Sequence, residues 1–200
     1  FIMDKIDKGC WKSWHVPLSR GDLNLGEAYD MMTENGAEQD DIPFIVQLVE
    51  NPKYQHWWNP FNGTGAVCLQ NHDYIHLLLG RGMLPKDEAF VIGFTMGSTN
   101  IMSTWKKKLY LFCSQYLYPK HYKFTEEERH VYMDAAKLGF VSDCIPLHTV
   151  DLSQYRHLTI AEARKELNLT ENLLHGYYEI EKHRYPDCKS SQRILDGYND

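Results

Sequence analysis

One stretch of the sequence, from His72 to Glu88, reads HDYIHLLLGRGMLPKDE and decides how the chain around it can fold. His72 and His76 are four residues apart, so on a helix they lie on one face and can direct their imidazoles at a common centre. Asp73, on the same helix, can reach the same place. The break at residues 80–85, with two glycines and a proline, predicts a turn. A second helix that doubles back from this turn would bring the carboxylate of Glu88 over the two imidazoles.

The side chains in this stretch form a ligand set for a divalent metal ion. Two neutral imidazoles with one or two carboxylates suit zinc, ferrous iron or manganese, and they can leave a coordination position open for chemistry. Residues 75 and 77–79 are apolar, which predicts a buried helix whose ionisable groups need partners, and a bound cation would supply one.

The competing interpretation is a histidine pair without a metal. Glu88 would then be a carboxylate that only complements the dipole of the second helix, and Asp87 could do the same. Asp87 lies about 100° from Glu88 around that helix, so the register of the helix decides which of the two faces the imidazoles.

The composition limits the class of protein. The chain has 200 residues, 43% of them hydrophobic and 24% charged, which is typical of one soluble globular domain with a proper core. A formal net charge of -6 without a basic stripe argues against a nucleic-acid partner. The five cysteines are odd in number, far apart and without a Cys-x-x-Cys pair, so we expect reduced thiols in an intracellular compartment and no cysteine-based zinc site. The sequence has no run of about eighteen apolar residues that would span a membrane.

Helical periodicity and helix-capping signals recur along the chain, whereas alternating strand patterns and internal repeats do not stand out. We therefore predict an all-α fold with a single domain over residues 1–200. Capping boxes at Thr125 and Thr159 mark two helix starts. We expect a loop over residues 141–158 and a polar, frayed tail over residues 186–200. The predicted helices are Leu25–Glu34, Pro43–Val49, Ala66–Leu79, Pro85–Met96, Thr125–Gly139 and Thr159–Leu167, with a last helix after Thr170.

Two further segments have the composition of membrane-contacting surfaces. An amphipathic N-terminal arm, residues 1–20, carries Trp11 and Trp14 among lysines, and residues 101–124 carry Trp105 beside a run of three lysines. These lysines are Lys106, Lys107 and Lys108. Tryptophan and lysine together are typical of a membrane–water interface, where each lysine near anionic lipid contributes about 1 kcal/mol. We predict that the two segments border an apolar prenyl-lipid groove that leads to the histidines. The alternative is that both segments pack on their own domain.

The histidine pair and the glutamate that follows it after eleven intervening residues resemble the signature of the coenzyme Q biosynthesis protein four family. Other features follow in the order found in that family: Gly80 after the second histidine, Phe94 six residues after the glutamate, and the Ala-Arg-Lys-Glu-Leu-Asn-Leu segment at residues 163–169. The resemblance covers roughly residues 57–170.

The chain departs from the family pattern at two places. Asp87 stands where the family usually has a glycine directly before the glutamate, and residues 57–70 match only loosely. Carried over by position, the resemblance implies that His72, Asp73, His76 and Glu88 are the metal ligands and the candidate catalytic residues. It also makes Glu88, not Asp87, the carboxylate that faces the imidazoles.

The resemblance implies an α-helical peripheral membrane protein, on the matrix side of the mitochondrial inner membrane or on a bacterial cytoplasmic membrane. Its implied substrate is a polyprenylated quinone precursor, which loses its ring carboxyl at C1 oxidatively and gains a hydroxyl there. The cofactor would be one divalent metal ion, with zinc first and iron or manganese as alternatives. The family also implies contact with other quinone-biosynthesis proteins in a membrane complex.

Two other functions are compatible with the sequence. The first is a non-catalytic prenyl-lipid-binding or scaffolding subunit of a membrane-associated complex, which needs the groove but no open metal position. The second is a phosphohydrolase built on the His-Asp pair, which requires a separate upstream histidine and a later aspartate. His56 and Asp134 are the weak candidates for those two positions.

Overall fold

The computed structural model describes residues 14–33, 66–99 and 124–198. These three ranges contain seven α-helices and no β-strand, which confirms the predicted all-α fold. Two short 3₁₀ helices, Leu147–Thr149 and Leu152–Tyr155, lie in the predicted loop. The α-helices are α1 (Leu25–Thr33), α2 (Leu69–Leu79), α3 (Pro85–Ser98), α4 (Glu126–Val141), α5 (Ile160–Glu166), α6 (Glu171–Arg184) and α7 (Lys189–Arg193). The helix predicted at Pro43–Val49 lies outside the described residues.

The capping signals set the helix starts as predicted. At the start of α5, the Thr159 hydroxyl accepts from the Glu162 N–H at 3.2 Å, and the Glu162 carboxylate accepts from the Thr159 N–H at 2.8 Å. At the start of α4, the Glu128 carboxylate accepts from the Thr125 N–H at 2.7 Å. Both starts follow from sequence-local hydrogen bonds, which is why the sequence could predict them.

The turn between α2 and α3 depends on one glycine. Gly80 ends α2 with φ of 65°, in the left-handed region that glycine adopts without strain. The N–H of Arg81 then donates to the His76 carbonyl at 2.9 Å, and Pro85 occupies the first turn of α3. A Cβ on Gly80 would lie 2.7 Å from the backbone of Leu18, so the N-terminal segment packs directly on this turn.

Small residues bring α3 and α4 into close contact. A Cβ on Gly93 would lie 2.4 Å from the carbonyl oxygen of Tyr132, and one on Gly97 would lie 2.2 Å from that of Ala136. Gly139 of α4 likewise packs against the carbonyl of Phe94. The helix predicted to end at Gly139 continues to Val141, because this glycine serves helix packing and not helix termination.

A buried ion pair ties the α2–α3 turn to the C-terminal helices. Arg81 donates to both carboxylate oxygens of Glu181 in α6, at 2.9 and 2.6 Å, and both side chains are fully buried. The guanidinium lies 4.0 Å from the centre of the Phe90 ring and 4.3 Å from that of Tyr178. The hydroxyl of Ser191 donates to Glu181 at 3.0 Å. Charge pairing, hydrogen bonds and aromatic contact therefore all act on one guanidinium.

The prediction of a frayed tail over residues 186–200 is wrong for its described part. Residues 189–193 form α7, and Ile194 and Leu195 are buried in the core. Arg193 forms an ion pair of 2.8 Å with Asp87. The polar composition of this segment reflects a buried ion pair with α3 and hydrogen bonds to α6, which periodicity cannot distinguish from exposure to solvent.

The N-terminal arm also packs on its own domain where it is described. Trp14 is only 3% exposed and belongs to the hydrophobic core with Val16 and Leu18. The prediction that Trp14 contacts a membrane is therefore wrong, because its indole is already buried by the protein. Trp11 lies outside the described residues. Among the helices of the described ranges, none has the length and apolar character required to cross a bilayer.

We expect Glu181→Ala to destabilise the protein by about 3–5 kcal/mol, because the buried Arg81 guanidinium loses both of its hydrogen bonds to a carboxylate and keeps only the more distant Asp87. Urea unfolding followed by circular dichroism measures this change. Glu166→Ala removes a carboxylate from an exposed position in α5 and should change the free energy of unfolding by less than about 0.5 kcal/mol. Equal effects of the two substitutions would contradict a structural role for the buried pair.

Candidate metal centre

Three side chains of α2 and α3 meet in one cluster: His72, His76 and Glu88. The Nε2 atoms of the two histidines are 3.0 Å apart. The Glu88 carboxylate lies 3.0 Å from Nε2 of His72 and 3.4 Å from Nε2 of His76. Ligand atoms around a tetrahedral zinc, each about 2.0–2.1 Å from the ion, are separated by about 3.3–3.4 Å. The spacing of the cluster is therefore close to that of three ligands sharing one cation.

The tautomer of His76 is set by a backbone carbonyl. Nδ1 of His76 lies 2.8 Å from the carbonyl oxygen of Gly82, which can only accept, so the Nδ1–H donates. In the neutral ring the lone pair is then on Nε2, the atom that faces His72 and Glu88. A histidine that donates its second ring nitrogen to a carbonyl is the usual outer-sphere arrangement of a metal ligand.

The cluster is closed on one side and accessible on the other. The His76 side chain is fully buried, whereas those of His72 and Glu88 are 17% and 32% exposed. Burial alone would raise the pKa of Glu88, but the neighbouring His76 and His72 outweigh it and hold that pKa well below its ordinary value. The carboxylate is thus ionised at neutral pH and able to bind a cation, with solvent access from the side of His72 and Glu88.

Asp73 lies beside the cluster but outside it. Among the described residues, the group whose ligand atoms lie within 4.8 Å of one another consists of the two histidines and Glu88. The predicted fourth ligand is therefore not brought into contact with the other three. Burial raises the pKa of Asp73 to about 6, while the nearby His72 and His76 act in the opposite direction. Asp73 is close enough to interact electrostatically with the cluster. It follows His72 by one residue, so its side chain lies on a neighbouring face of α2 and not on the face of the two histidines.

Glu88, and not Asp87, faces the imidazoles, as the motif spacing predicts. Asp87 is fully buried on another side of α3, where its carboxylate accepts from the Leu84 N–H at 3.1 Å and pairs with Arg193 at 2.8 Å. Asp87 therefore caps the first turn of α3. It does not compete for the metal position.

The other predicted site residues have different outcomes. Trp105 and the three lysines after it lie outside the described residues, so the apolar groove stays a prediction. Asp134, the candidate for a phosphohydrolase aspartate, lies in α4 and pairs with Arg184 at 2.7 Å, apart from the histidine cluster. His56 lies outside the described residues.

Sequence reasoning missed the residues that support the cluster. The carbonyl of Gly82 holds His76, and Arg193 holds Asp87 next to Glu88. The Gly-Arg-Gly segment of the turn signals tight backbone packing there. Nothing in the sequence connects residue 193 to the histidines, because the contact spans more than a hundred residues of chain.

Comparisons with known proteins leave the cluster itself as the guide to function. No protein-family model matches the chain, and searches of curated proteins and of solved structures found no significant match.

We expect the purified protein to bind one divalent transition metal, and His76→Ala to abolish that binding because it removes the buried ligand. Metal analysis after purification without chelator measures the content, and thermal unfolding with added zinc or iron measures the stabilisation. Metal at 100 times its dissociation constant should stabilise the wild type by about 2.7 kcal/mol.

His130→Ala is the matched control, since His130 is an exposed histidine of α4 and should leave metal content unchanged. Circular dichroism establishes that both variants are folded. Wild-type protein without metal, whose melting temperature does not rise on addition of zinc or iron, would show that the cluster is not a metal site.

Proposed function

We propose that this chain is a metal-dependent enzyme of ubiquinone biosynthesis that catalyses oxidative decarboxylation at C1 of a polyprenylated benzoate precursor. The observation that carries the proposal is the convergence of His72, His76 and Glu88, which brings together three residues of the family-like motif. A role in organising other quinone-biosynthesis proteins belongs to the same proposal, and it rests on the motif resemblance.

The ion proposed at the centre is zinc, with iron or manganese as alternatives. Two imidazoles and one carboxylate suit each of these ions and leave coordination positions for other ligands. Any of the three would supply Lewis acidity toward the phenolate and carboxylate oxygens of the precursor, and a redox-active ion would also supply electron transfer.

The overall reaction requires dioxygen and a two-electron donor. The bond between C1 and the carboxyl carbon breaks, and carbon dioxide leaves. A bond between C1 and oxygen forms, and one atom of dioxygen becomes the new hydroxyl. The other oxygen atom leaves as water, with two electrons and two protons taken from the donor.

The residues of the cluster have distinct roles in this proposal. His76 is buried and fixed by the Gly82 carbonyl, so it forms the rigid inner side of the centre. His72 and Glu88 border the solvent-accessible side, from which the aromatic ring of the substrate would approach. Asp73 adds a second carboxylate near the cluster and is retained as a candidate catalytic residue.

The substrate places the protein at a membrane in this proposal. A polyprenyl chain is too apolar to cross water, and burying each CH₂ group stabilises binding by about 0.8 kcal/mol. We propose peripheral association with the mitochondrial inner membrane on its matrix side, or with a bacterial cytoplasmic membrane. Trp11, Trp105 and the lysines from Lys106 to Lys108 are the contacts that the sequence favours.

We expect the metal-loaded protein to release labelled carbon dioxide from a precursor that carries ¹³C in its ring carboxyl, in the presence of dioxygen and a reductant. Mass spectrometry should find one atom of ¹⁸O from ¹⁸O₂ in the product ring. Glu88→Gln should lower the rate at least tenfold, because it removes a charged ligand. Asp134→Asn, at a surface ion pair, is the matched control and should keep the wild-type rate.

The same preparation distinguishes the alternatives. Metal-loaded protein that binds the precursor tightly but releases no carbon dioxide would favour the non-catalytic lipid-binding subunit. Failure to bind or convert any prenylated precursor would contradict the quinone assignment altogether.

A further inference from the structure

We infer that Arg193, in α7, is a positioning residue for the metal centre. Its guanidinium contacts the carboxylate of Asp87, the residue before Glu88, and the backbone of Gly82, whose carbonyl accepts from His76. This inference rests on the proposed metal function and deepens it. It adds a supporting layer to the centre that comes from the C-terminal end of the chain, outside the sequence motif.

The first contact of Arg193 is with α3. Its Nη2 lies 2.8 Å from Oδ2 of Asp87, and the same carboxylate oxygen accepts from the Leu84 N–H at 3.1 Å. Asp87 and Glu88 are neighbours in the first turn of α3, so their side chains are separated by about 100° around the helix axis. The contacts that hold Asp87 therefore fix the rotation of the first helical turn of α3. This rotation determines the direction in which the Glu88 side chain points.

The second contact is with the α2–α3 turn. A Cβ on Gly82 would lie only 2.0 Å from Nη2 of Arg193, so the guanidinium packs directly against the backbone there. The carbonyl of Gly82 accepts from Nδ1 of His76 at 2.8 Å. A shift of this backbone would weaken that hydrogen bond and release the orientation and tautomer of the His76 ring.

One planar guanidinium contacts both Asp87 of α3 and Gly82 of the α2–α3 turn. The ammonium of a lysine is a point charge without this planar fork, so it could pair with Asp87 but not fill the same space against Gly82. Arg81 also faces Asp87, with Nη1 3.7 Å from Oδ1, so the carboxylate keeps one cation when Arg193 is replaced. Replacing Arg193 therefore removes one supporting contact of α3 and of the turn, while Asp87 stays paired with Arg81.

The test measures cobalt binding, because Co²⁺ reports its coordination in its visible spectrum. Competition with a chromophoric chelator gives the dissociation constant of the full-length protein for Co²⁺. We expect Arg193→Gln and Asp87→Asn to weaken binding 10–100-fold and to alter the visible band, as loss of an outer-sphere partner does. Arg193→Lys should lie between wild type and Arg193→Gln.

Two controls separate positioning from general stability. Arg184→Gln makes the same chemical change at a surface ion pair with Asp134. Leu174→Ala removes core packing in α6, a helix that contributes no ligand. Both should keep the wild-type dissociation constant and spectrum at a temperature where circular dichroism shows every variant folded.

A second measurement covers the case in which Arg193→Gln does not fold. In the metal-free protein, side-chain ¹⁵N shifts should show wild-type His76 with its proton on Nδ1, and Arg193→Lys should show a mixture of tautomers. The His76 signals are assigned by their absence in His76→Ala.

The outcomes separate this inference from the proposed function. If wild type binds no Co²⁺, both are overturned. If wild type binds it and Arg193→Gln and Asp87→Asn keep its affinity and spectrum, the positioning role alone is overturned. The same holds if Arg193→Lys leaves the His76 tautomer unchanged, or if Leu174→Ala weakens binding as much as Arg193→Gln.

Discussion

The buried pairing of Arg81 with Glu181 is the constraint that fixes the α2–α3 turn in the molecule. Both side chains are fully shielded from water, and a charge in such surroundings is tolerated only with its partner in place. Arg81 lies directly after the glycine that ends α2, so its guanidinium reaches Glu181 only when the turn docks against α6. The aromatic rings of Phe90 and Tyr178, on α3 and α6, line the same position. One ion pair thus orients the two helices that carry the candidate ligands His72, His76 and Glu88.

The supporting layer of the centre extends this constraint. Asp87 lies between Arg81 and Arg193, and Gly82 lies between Arg193 and His76. The turn provides no ligand of its own, yet its backbone and its charged neighbours determine where His76 and Glu88 point. The candidate ligands belong to two consecutive helices, and the supporting contacts come from α6 and α7, so the centre depends on how these two C-terminal helices pack on the turn.

The family-like motif and this chain's departure from it have separate structural consequences. The spacing of the motif places Glu88 over the imidazoles, and the structure agrees with that prediction. Asp87, at the position where the pattern that the sequence resembles has a glycine, caps α3 and pairs with two arginines. This aspartate therefore forms an ionic anchor beside the cluster and does not take the place of a candidate ligand. The motif also predicts Asp73 as a ligand, but this residue lies beside the triad and not in it. A residue adjacent to a ligand on a helix lies near the site, but its side chain points in another direction.

The sequence by itself determined the helical class, most helix starts, and the candidate ligands His72, His76 and Glu88. Each of these depends on residues within a few turns of one another: the 3.6-residue period, the capping pairs, and one short connection between two helices. Only the tertiary structure decided that Trp14 is buried, that the polar C-terminal segment packs as α7, and that Arg193 braces the centre. Those outcomes rest on contacts between residues far apart in the chain. A polar or aromatic side chain has the same local pattern whether it meets solvent, a membrane or a buried partner, so packing alone makes that choice.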